Sequence, residues 1–114
     1  MIEQVKRVMA EPALEVETLL SWQAHASPRD TPLFAAIEAM MKERHPGVPV
    51  TANVIGGFTD CNAFRARGIV CYGFVPARMR LEEVHRIHGK DERVGVASLA
   101  RGVGDLHRLI RLLQ

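Results

Sequence analysis

Residues 50–60 read VTANVIGGFTD, and this stretch contains the change of structure on which the fold prediction depends. Its first six residues are rich in β-branched side chains and predict a strand, and the two glycines that follow predict a tight turn. Thr59 and Asp60 are typical of a helix cap and first turn, so a short helix carrying Phe64 should follow and end at Gly68. A strand that turns directly into a helix is typical of α/β proteins.

Apolar spacing before this stretch continues the alternation. Residues 1–10 show helical spacing, and residues 14–18 alternate apolar and polar side chains as a strand with one exposed face does. Thr31 and Pro32 are suited to the cap and first position of a helix that continues to about Arg44. The order helix, strand, helix therefore precedes the central strand.

The chain after the glycine turn adds a strand and a helix. Residues 69–74, IVCYGF, predict a strand covered on both faces, and residues 76–93 predict a long loop with at most one helical turn. A final amphipathic helix, which Ser98 could cap, contains apolar residues at helical spacing: Leu99, Val103, Leu106, Ile110 and Leu113. Gly102 and Gly104 lower helix propensity, which indicates close backbone approach to a sheet. The expected fold is α/β, a partial mixed sheet with flanking helices.

Composition limits the class of protein. The chain has 114 residues, 47% hydrophobic and 25% charged, as expected for one folded domain. A net charge of +2 gives no indication of nucleic acid or a membrane surface as partner. No apolar run approaches the ~18 residues of a membrane span, and the N-terminal residues do not form a secretory signal. We therefore expect a cytoplasmic location, with Cys61 and Cys71 as reduced thiols in or beside apolar elements.

Three groups of residues could carry chemistry, and each also has an ordinary structural explanation. The glycine turn at 56–60 could bind a carboxylate or phosphate at a helix N-terminus, or it could be only a turn. Glu82 and Glu83 could act as an acid–base pair, or they could be solvated. The two cysteines could supply a nucleophile, with His85 or His88 as base, or they could be core residues. None of these patterns decides the function by itself.

His88 is followed closely by Asp91 and Glu92. Histidine is the commonest metal ligand, and nearby carboxylates can orient its ring. A catalytic zinc ion needs about three protein ligands, however, and no His-Glu-x-x-His or His-x-Asp motif occurs in the chain. Judged by these residues alone, His88 could be a ligand or an ordinary loop residue.

From Ser27 onward the chain resembles the C-terminal part of the zinc-dependent metallopeptidase family that includes aminoacylases, glutamate carboxypeptidases, acetylornithine deacetylase and succinyl-diaminopimelate desuccinylase. The resemblance is carried by several motifs in the family's order: SPRDTPL at 27–33, GGFTD at 56–60, GIVCYGF at 68–74, HGKDERV at 88–94 and RGV at 101–103.

This resemblance implies a division of the chain and a set of site residues. Residues 1–20 would be the last helix and strand of a lid and dimerisation domain, and residues 21–114 the returning half of the catalytic domain. His88 would bind one of two zinc ions. The glycine turn would line the pocket for the substrate's carboxylate, and the implied substrate-binding residues are Gly57, Thr59, Asp60 and Asn62. Many members carry arginine at the position of Asn62, so the substrate preference is expected to differ.

The family's remaining zinc ligands and its general base belong to an N-terminal half that these residues do not include. The resemblance therefore implies part of a metal-dependent hydrolase that cleaves peptide or N-acyl amino acid amide bonds with a di-zinc-activated water, and that is inactive alone. The implied partners are a substrate with a free carboxylate, a second copy of the chain and an N-terminal half supplied by another chain. Two alternatives are a non-catalytic binding or assembly module derived from the same fold, and an unrelated small regulatory domain.

Overall fold

A computed structural model describes residues 2–10 and 15–114. The described chain contains five helices, and the segments between them are turns and irregular backbone. In chain order the helices are α1 (Ile2–Met9), α2 (Pro32–Arg44), α3 (Cys61–Arg65), α4 (Leu81–Val84) and α5 (Val96–Leu112).

The predicted α/β fold with a mixed sheet is wrong, because residues 2–10 and 15–114 contain no strand. The predicted strands at 50–55 and 69–74 lie in irregular segments, and no backbone hydrogen bond joins one segment to the other in the described chain. β-Branched side chains favour extended backbone, but a strand also needs a second strand to complete its hydrogen bonds. Of the predicted strand at 14–18, residue 14 lies outside the described residues, and residues 15–18 form no strand.

Helix α2 begins as the sequence predicts. The Thr31 side chain accepts a hydrogen bond from the backbone N–H of Phe34 at 3.1 Å, and proline occupies the first helical turn. The helix ends beside His45, whose backbone N–H donates to the Met41 carbonyl. Its inner face buries Phe34, Ala36, Ile37 and Met40. Local capping signals therefore locate this helix correctly.

Replacing Thr31 with alanine should lower the free energy of unfolding by about 1 to 2 kcal/mol, since the α2 cap is lost. The same hydroxyl lies 2.6 Å from the Tyr72 hydroxyl, so the substitution also removes a link between α2 and the segment after α3. Urea denaturation followed by circular dichroism measures the change. Thr31→Ser is the control and should retain most of the stability, whereas equal loss in both variants would show that the hydroxyl is not what matters.

The core lies where α2 packs against α5. Ala36, Ile37 and Leu109 are buried at its centre. Partly buried apolar side chains surround them: Leu33, Met41, Val50, Tyr72, Phe74 and Leu112. Both segments that were predicted as strands thus contribute side chains to the core, although their backbones are not paired. The core is small for a chain of 114 residues.

A network of charged side chains joins the C-terminal end of α2 to the middle of α5. Asp105 is only 2% exposed, and its carboxylate accepts hydrogen bonds from Arg44 Nε at 2.9 Å and from His45 Nε2 at 2.8 Å. Arg108 pairs with Glu43 at 2.7 Å on the surface beside it. Two of the four charged side chains of α5, Asp105 and Arg108, are therefore paired with side chains of α2.

Helix α5 was predicted, but its buried face is not its most apolar one. The face against the rest of the protein buries Ser98, Gly102, Asp105 and Leu109. The apolar residues at helical spacing lie on the neighbouring face and are exposed; we call them the outer stripe: Val96, Leu99, Val103, Leu106, Ile110 and Leu113. Because successive residues differ by ~100° around a helix, each buried residue directly precedes a residue of the stripe.

The start of α5 and the contact at Gly102 both differ in part from what the sequence predicts. Ser98 does not cap the helix; Gly95 occupies that position, and the Ser98 hydroxyl donates to the Arg78 carbonyl at 2.6 Å. The close approach at Gly102 is confirmed, since a Cβ there would lie 2.5 Å from the Pro76 carbonyl oxygen. The neighbouring chain is an irregular segment and not a sheet.

The loop before α5 contains the single helical turn that the sequence allows, which is α4. Among the described residues, no helix combines the length and apolar character needed to cross a membrane.

Candidate functional site

The loop that carries His88 is closed by contacts among its own residues. The backbone N–H of Gly89 donates to the Arg86 carbonyl at 2.8 Å, and the backbone N–H of His88 donates to the Glu92 carboxylate at 2.9 Å. Arg86 and Asp91 approach to 3.9 Å. Glu92 therefore orients the loop through the main chain of His88 and makes no described bond to its ring.

His88 and Asp91 both have left-handed backbone, with φ of +63° and +58°. Side chains other than glycine rarely adopt this conformation, and such residues cluster at functional sites. The His88 side chain is exposed at the tip of the loop, and its ring makes no hydrogen bond to any described residue. The loop thus holds an imidazole in solvent at the cost of backbone strain, and an imidazole so placed can bind a metal ion.

A cavity of about 310 Å³ lies beside this loop. It is formed by α4, the segment before it and the segment before α5, and its lining residues are Arg78, Met79, Arg80, Glu83, Arg93, Val94 and Gly95. Arg93 Nε donates to both carboxylate oxygens of Glu83 at 3.1 Å. The lining carries three arginines and one glutamate, and this net positive charge favours an anionic group.

Sequence reasoning missed this cluster of arginines. Arg78, Arg80 and Arg93 are scattered in sequence among other basic residues, and only the turn of α4 brings their segments together. The sequence allows Glu83 to be a solvated carboxylate or one of an acid–base pair, whereas in the structure its carboxylate is paired with Arg93. The one available signal was the Arg-x-Arg spacing at 78–80.

The glycine turn contains three of the residues predicted to bind substrate. Gly57 and Asp60 are exposed, and Thr59 is half-buried. Asp60 occupies the cap position of α3 without a capping side-chain bond. A Cβ added at Gly57 would meet nothing, so no described contact requires glycine there. Phe58, at the middle of the turn, packs against Trp22 with ring centroids 5.1 Å apart.

Asn62, the fourth predicted substrate residue, holds two chain segments together. Its side-chain oxygen accepts from the His25 backbone N–H at 3.1 Å, and its side-chain nitrogen donates to the Gln23 carbonyl at 3.1 Å. A substrate would have to compete with this segment for the amide. No hydrogen bond or ion pair among the described residues joins the turn to the His88 loop, so the roles predicted for these residues stay predictions.

The expectation of reduced thiols is wrong, because Cys61 and Cys71 form a disulfide with their Cα atoms 5.5 Å apart. Helix α3 and the turn at Gly68, where φ is +77°, return the chain so that residues ten apart meet. Arg65 Nε and the Ser27 hydroxyl both donate to the Cys71 carbonyl. A separation of ten residues gave no sign of this pairing, because it depends on how the intervening turn is closed.

The donor set within residues 2–10 and 15–114 does not fit a zinc centre by itself. These residues hold no cluster of three or more histidine, cysteine, aspartate or glutamate side chains that could bind a metal ion. Asp91 faces Arg86, and Glu92 accepts from the main chain of His88. The expected α/β fold of a zinc metallopeptidase is therefore wrong for this chain. The described part of the chain also shows no metal-binding group. Zinc binding at His88 stays a prediction.

Comparison of the sequence with protein-family models, and of the protein with curated proteins and solved structures, gives no match in any of the three.

Proposed function

We propose that this chain is part of a metal-dependent hydrolase of peptide or N-acyl amino acid amide bonds, in which it supplies His88 as one zinc ligand and contributes part of the substrate pocket. The remaining ligands and the general base come from outside these residues. By itself the chain binds zinc weakly and has no hydrolytic activity, because about three protein ligands are needed for a catalytic zinc ion.

The geometry of His88 is the observation that supports this proposal most. The residue combines left-handed backbone with an exposed ring at the tip of a loop in which Glu92 bonds to the main chain of His88 and Asp91 pairs with Arg86. Strain of this kind costs on the order of 1 kcal/mol or more and has no described benefit to packing. A role in binding accounts for it, and the HGKDERV motif at 88–94 supplies the same assignment through the family resemblance.

The substrate's carboxylate is the second part of the proposal. The exposed glycine turn leaves open space at Gly57, through which a ligand can approach the backbone closely. Thr59 and Asp60 follow it, and Asn62 is the residue that replaces the family's arginine. A neutral amide gives weaker and less directional binding of a carboxylate than a guanidinium does, so we expect a different substrate preference.

Zinc titration monitored by the histidine side-chain signals in NMR spectra tests the assignment. Added zinc should broaden or shift the signals of His88 before those of the other four histidines. His88→Asn should remove this response and leave the fold intact, because asparagine tolerates left-handed backbone. His107→Asn, which removes an exposed histidine of α5, is the matched control and should leave the response of His88 unchanged.

If zinc perturbs all five histidines equally, or if His88→Asn does not alter the response, His88 is not a ligand and the proposal is wrong. Hydrolysis of N-acyl amino acids or dipeptides by the purified chain with zinc would contradict the claim that essential groups lie elsewhere.

A non-catalytic assembly module is the second candidate, and the exposed apolar side chains favour it. Many large apolar side chains are exposed, and Leu19, Val54 and Val96 are each more than 80% exposed. The total accessible surface is 9698 Å², whereas a compact protein of this mass exposes about 6,200 Å². A module of this kind would bind partners and would respond to zinc no more at His88 than at His107. The titration therefore separates the two candidates.

A further inference from the structure

The outer stripe of α5 has the spacing of a coiled-coil seam. Its six residues are separated alternately by three and four positions, which is the a/d pattern of a heptad repeat. Their exposures run from 42% at Leu106 to 83% at Val96. No residue of the stripe is charged, although α5 carries four charged side chains. The helix therefore presents a continuous apolar seam that no described residue covers.

The residue types at the two seam positions indicate what covers it. The a positions hold Val96, Val103 and Ile110, and the d positions hold Leu99, Leu106 and Leu113. β-Branched residues at a with leucine at d favour parallel, two-stranded coiled coils, because the two sites pack side chains in different orientations. A sheet or an unrelated groove would not require this alternation. The pattern is self-complementary and points to a second copy of α5.

The residue types on both flanks of the seam are compatible with such a pair. The e positions are Ala100, His107 and Gln114 and the g positions are Gly95, Gly102 and Leu109, so neither flank carries Asp, Glu, Lys or Arg. The charges of Asp105 and Arg108 are turned toward Arg44 and Glu43 of α2. Two α5 helices can therefore approach in parallel without bringing like charges together across the seam.

The outer stripe is large enough to support a dimer because α5 is already folded as a helix before the two copies meet. Helix α5 has 17 residues, and an isolated coiled coil of two to three heptads is only marginally stable. Here α2 already holds α5 in helical form, so association does not have to offset helix formation. The stripe exposes on the order of 500 Å² of apolar surface, in the range of patches that mark interaction sites. Two copies would bury about 1,000 Å², near the lower limit for specific interfaces.

We infer that the protein forms a parallel homodimer through the outer stripe of α5, with Val103 of one copy facing Val103 of the other. The inference concerns a surface apart from the His88 loop and does not rest on the proposed function. The dimer would be reversible and concentration-dependent, because its interface is small.

Sedimentation velocity over micromolar to near-millimolar concentrations tests the inference on the whole chain. The unaltered chain should shift from monomer to dimer. Val103→Asp should raise the dimer dissociation constant about 100-fold or more, since two carboxylates would meet in an apolar seam. Arg101→Asp introduces the same side chain two residues earlier, outside the stripe, and should leave dimerisation nearly unchanged. Circular dichroism establishes whether each variant retains its helices.

Cysteine cross-linking is a second test of the dimer, and it does not require Val103→Asp to fold. With Cys61 and Cys71 paired, Val103→Cys carries one free thiol, and mild oxidation should link two copies through it. Arg101→Cys should link poorly. A chain that stays monomeric throughout, a folded Val103→Asp that still dimerises, or equal linking by both cysteine variants would overturn the inference. Binding of a different protein to the stripe with no self-association would likewise exclude the second copy as its occupant.

Discussion

Replacing Asp105 with alanine is expected to lower the free energy of unfolding by about 3 kcal/mol, because it removes the acceptor for two charged or ionisable donors. Asp105 is 2% exposed and bonds to Arg44 and His45 at once. Without it, Arg44 can turn to solvent, since its side chain is 44% exposed, whereas His45 is 14% exposed and remains largely enclosed. Most of the lost stability should therefore come from the enclosed His45 ring, which loses its hydrogen-bond acceptor, and from the cavity left between α2 and α5.

The stability that Asp105 provides should also depend on pH. Burial raises the pKa of this carboxyl, but hydrogen bonds from His45 and Arg44, together with the charges of these two residues, outweigh that effect and hold the pKa below its ordinary value of 3.8. A carboxyl whose pKa is lower in the folded state stabilises the fold above the unfolded pKa and loses this effect as pH falls through the folded pKa. The stabilisation should thus be complete at pH 6 and decline below about pH 4.

Urea denaturation of the unaltered chain, Asp105→Ala and Asp105→Asn at several pH values measures both effects. Asp105→Asn keeps the volume of the side chain and one acceptor but does not titrate. The free energy of unfolding of this variant should therefore lack the decrease that protonation of Asp105 causes in the unaltered chain below about pH 4. A constant difference between the unaltered chain and Asp105→Asn from pH 6 to pH 3 would contradict the charged role of Asp105. A loss below ~1 kcal/mol in Asp105→Ala would contradict its structural role.

Gly102→Ala is expected to have the second-largest effect. The added Cβ would lie 2.5 Å from the Pro76 carbonyl oxygen, a backbone atom that cannot move without displacing the segment after Phe74. Overpacking of this kind costs typically 1–3 kcal/mol, and the gain of about 1 kcal/mol in helix propensity offsets only part of a severe clash. We expect a net loss of about 2 kcal/mol.

Gly104→Ala is the matched control for Gly102→Ala, since it makes the same change two residues later in α5. Its Cβ would lie 3.3 Å from the end of the flexible Arg44 side chain, which can shift. The helix-propensity gain should therefore leave the protein as stable as before or up to about 1 kcal/mol more stable. Thermal unfolding of the two variants decides the point: if they behave alike, the contact of Gly102 with Pro76 does not hold α5 in place.

The sequence located elements that local interactions determine. Thr31 and Pro32 mark the start of α2 correctly, and the spacing of apolar residues predicted α1 and α5. Strands at 50–55 and 69–74 were predicted wrongly, because a strand depends on hydrogen bonds to residues far away in sequence. Likewise, the periodicity of α5 correctly grouped Leu99, Val103 and Leu106 on one face, but periodicity cannot tell whether a face is covered.

The candidate site was less predictable than the helices. The motif at 88–94 predicts a role for His88, but it predicts neither the left-handed backbone of this residue nor the hydrogen bond from its N–H to Glu92, which depend on how the loop folds. The arginines of the neighbouring cavity and the Cys61–Cys71 disulfide come from separate segments that meet through turns. Such groupings leave little trace in a single sequence, because no fixed spacing connects their members.

X-ray absorption spectroscopy of the zinc-loaded chain tests the central claim most directly, since it counts and identifies the atoms bound to the metal. We expect one imidazole nitrogen from His88, with the remaining positions filled by solvent oxygen, and loss of the imidazole signal in His88→Asn. A spectrum with three or more protein ligands, or with a second zinc ion held at bridging distance within a single copy of the chain, would contradict the account.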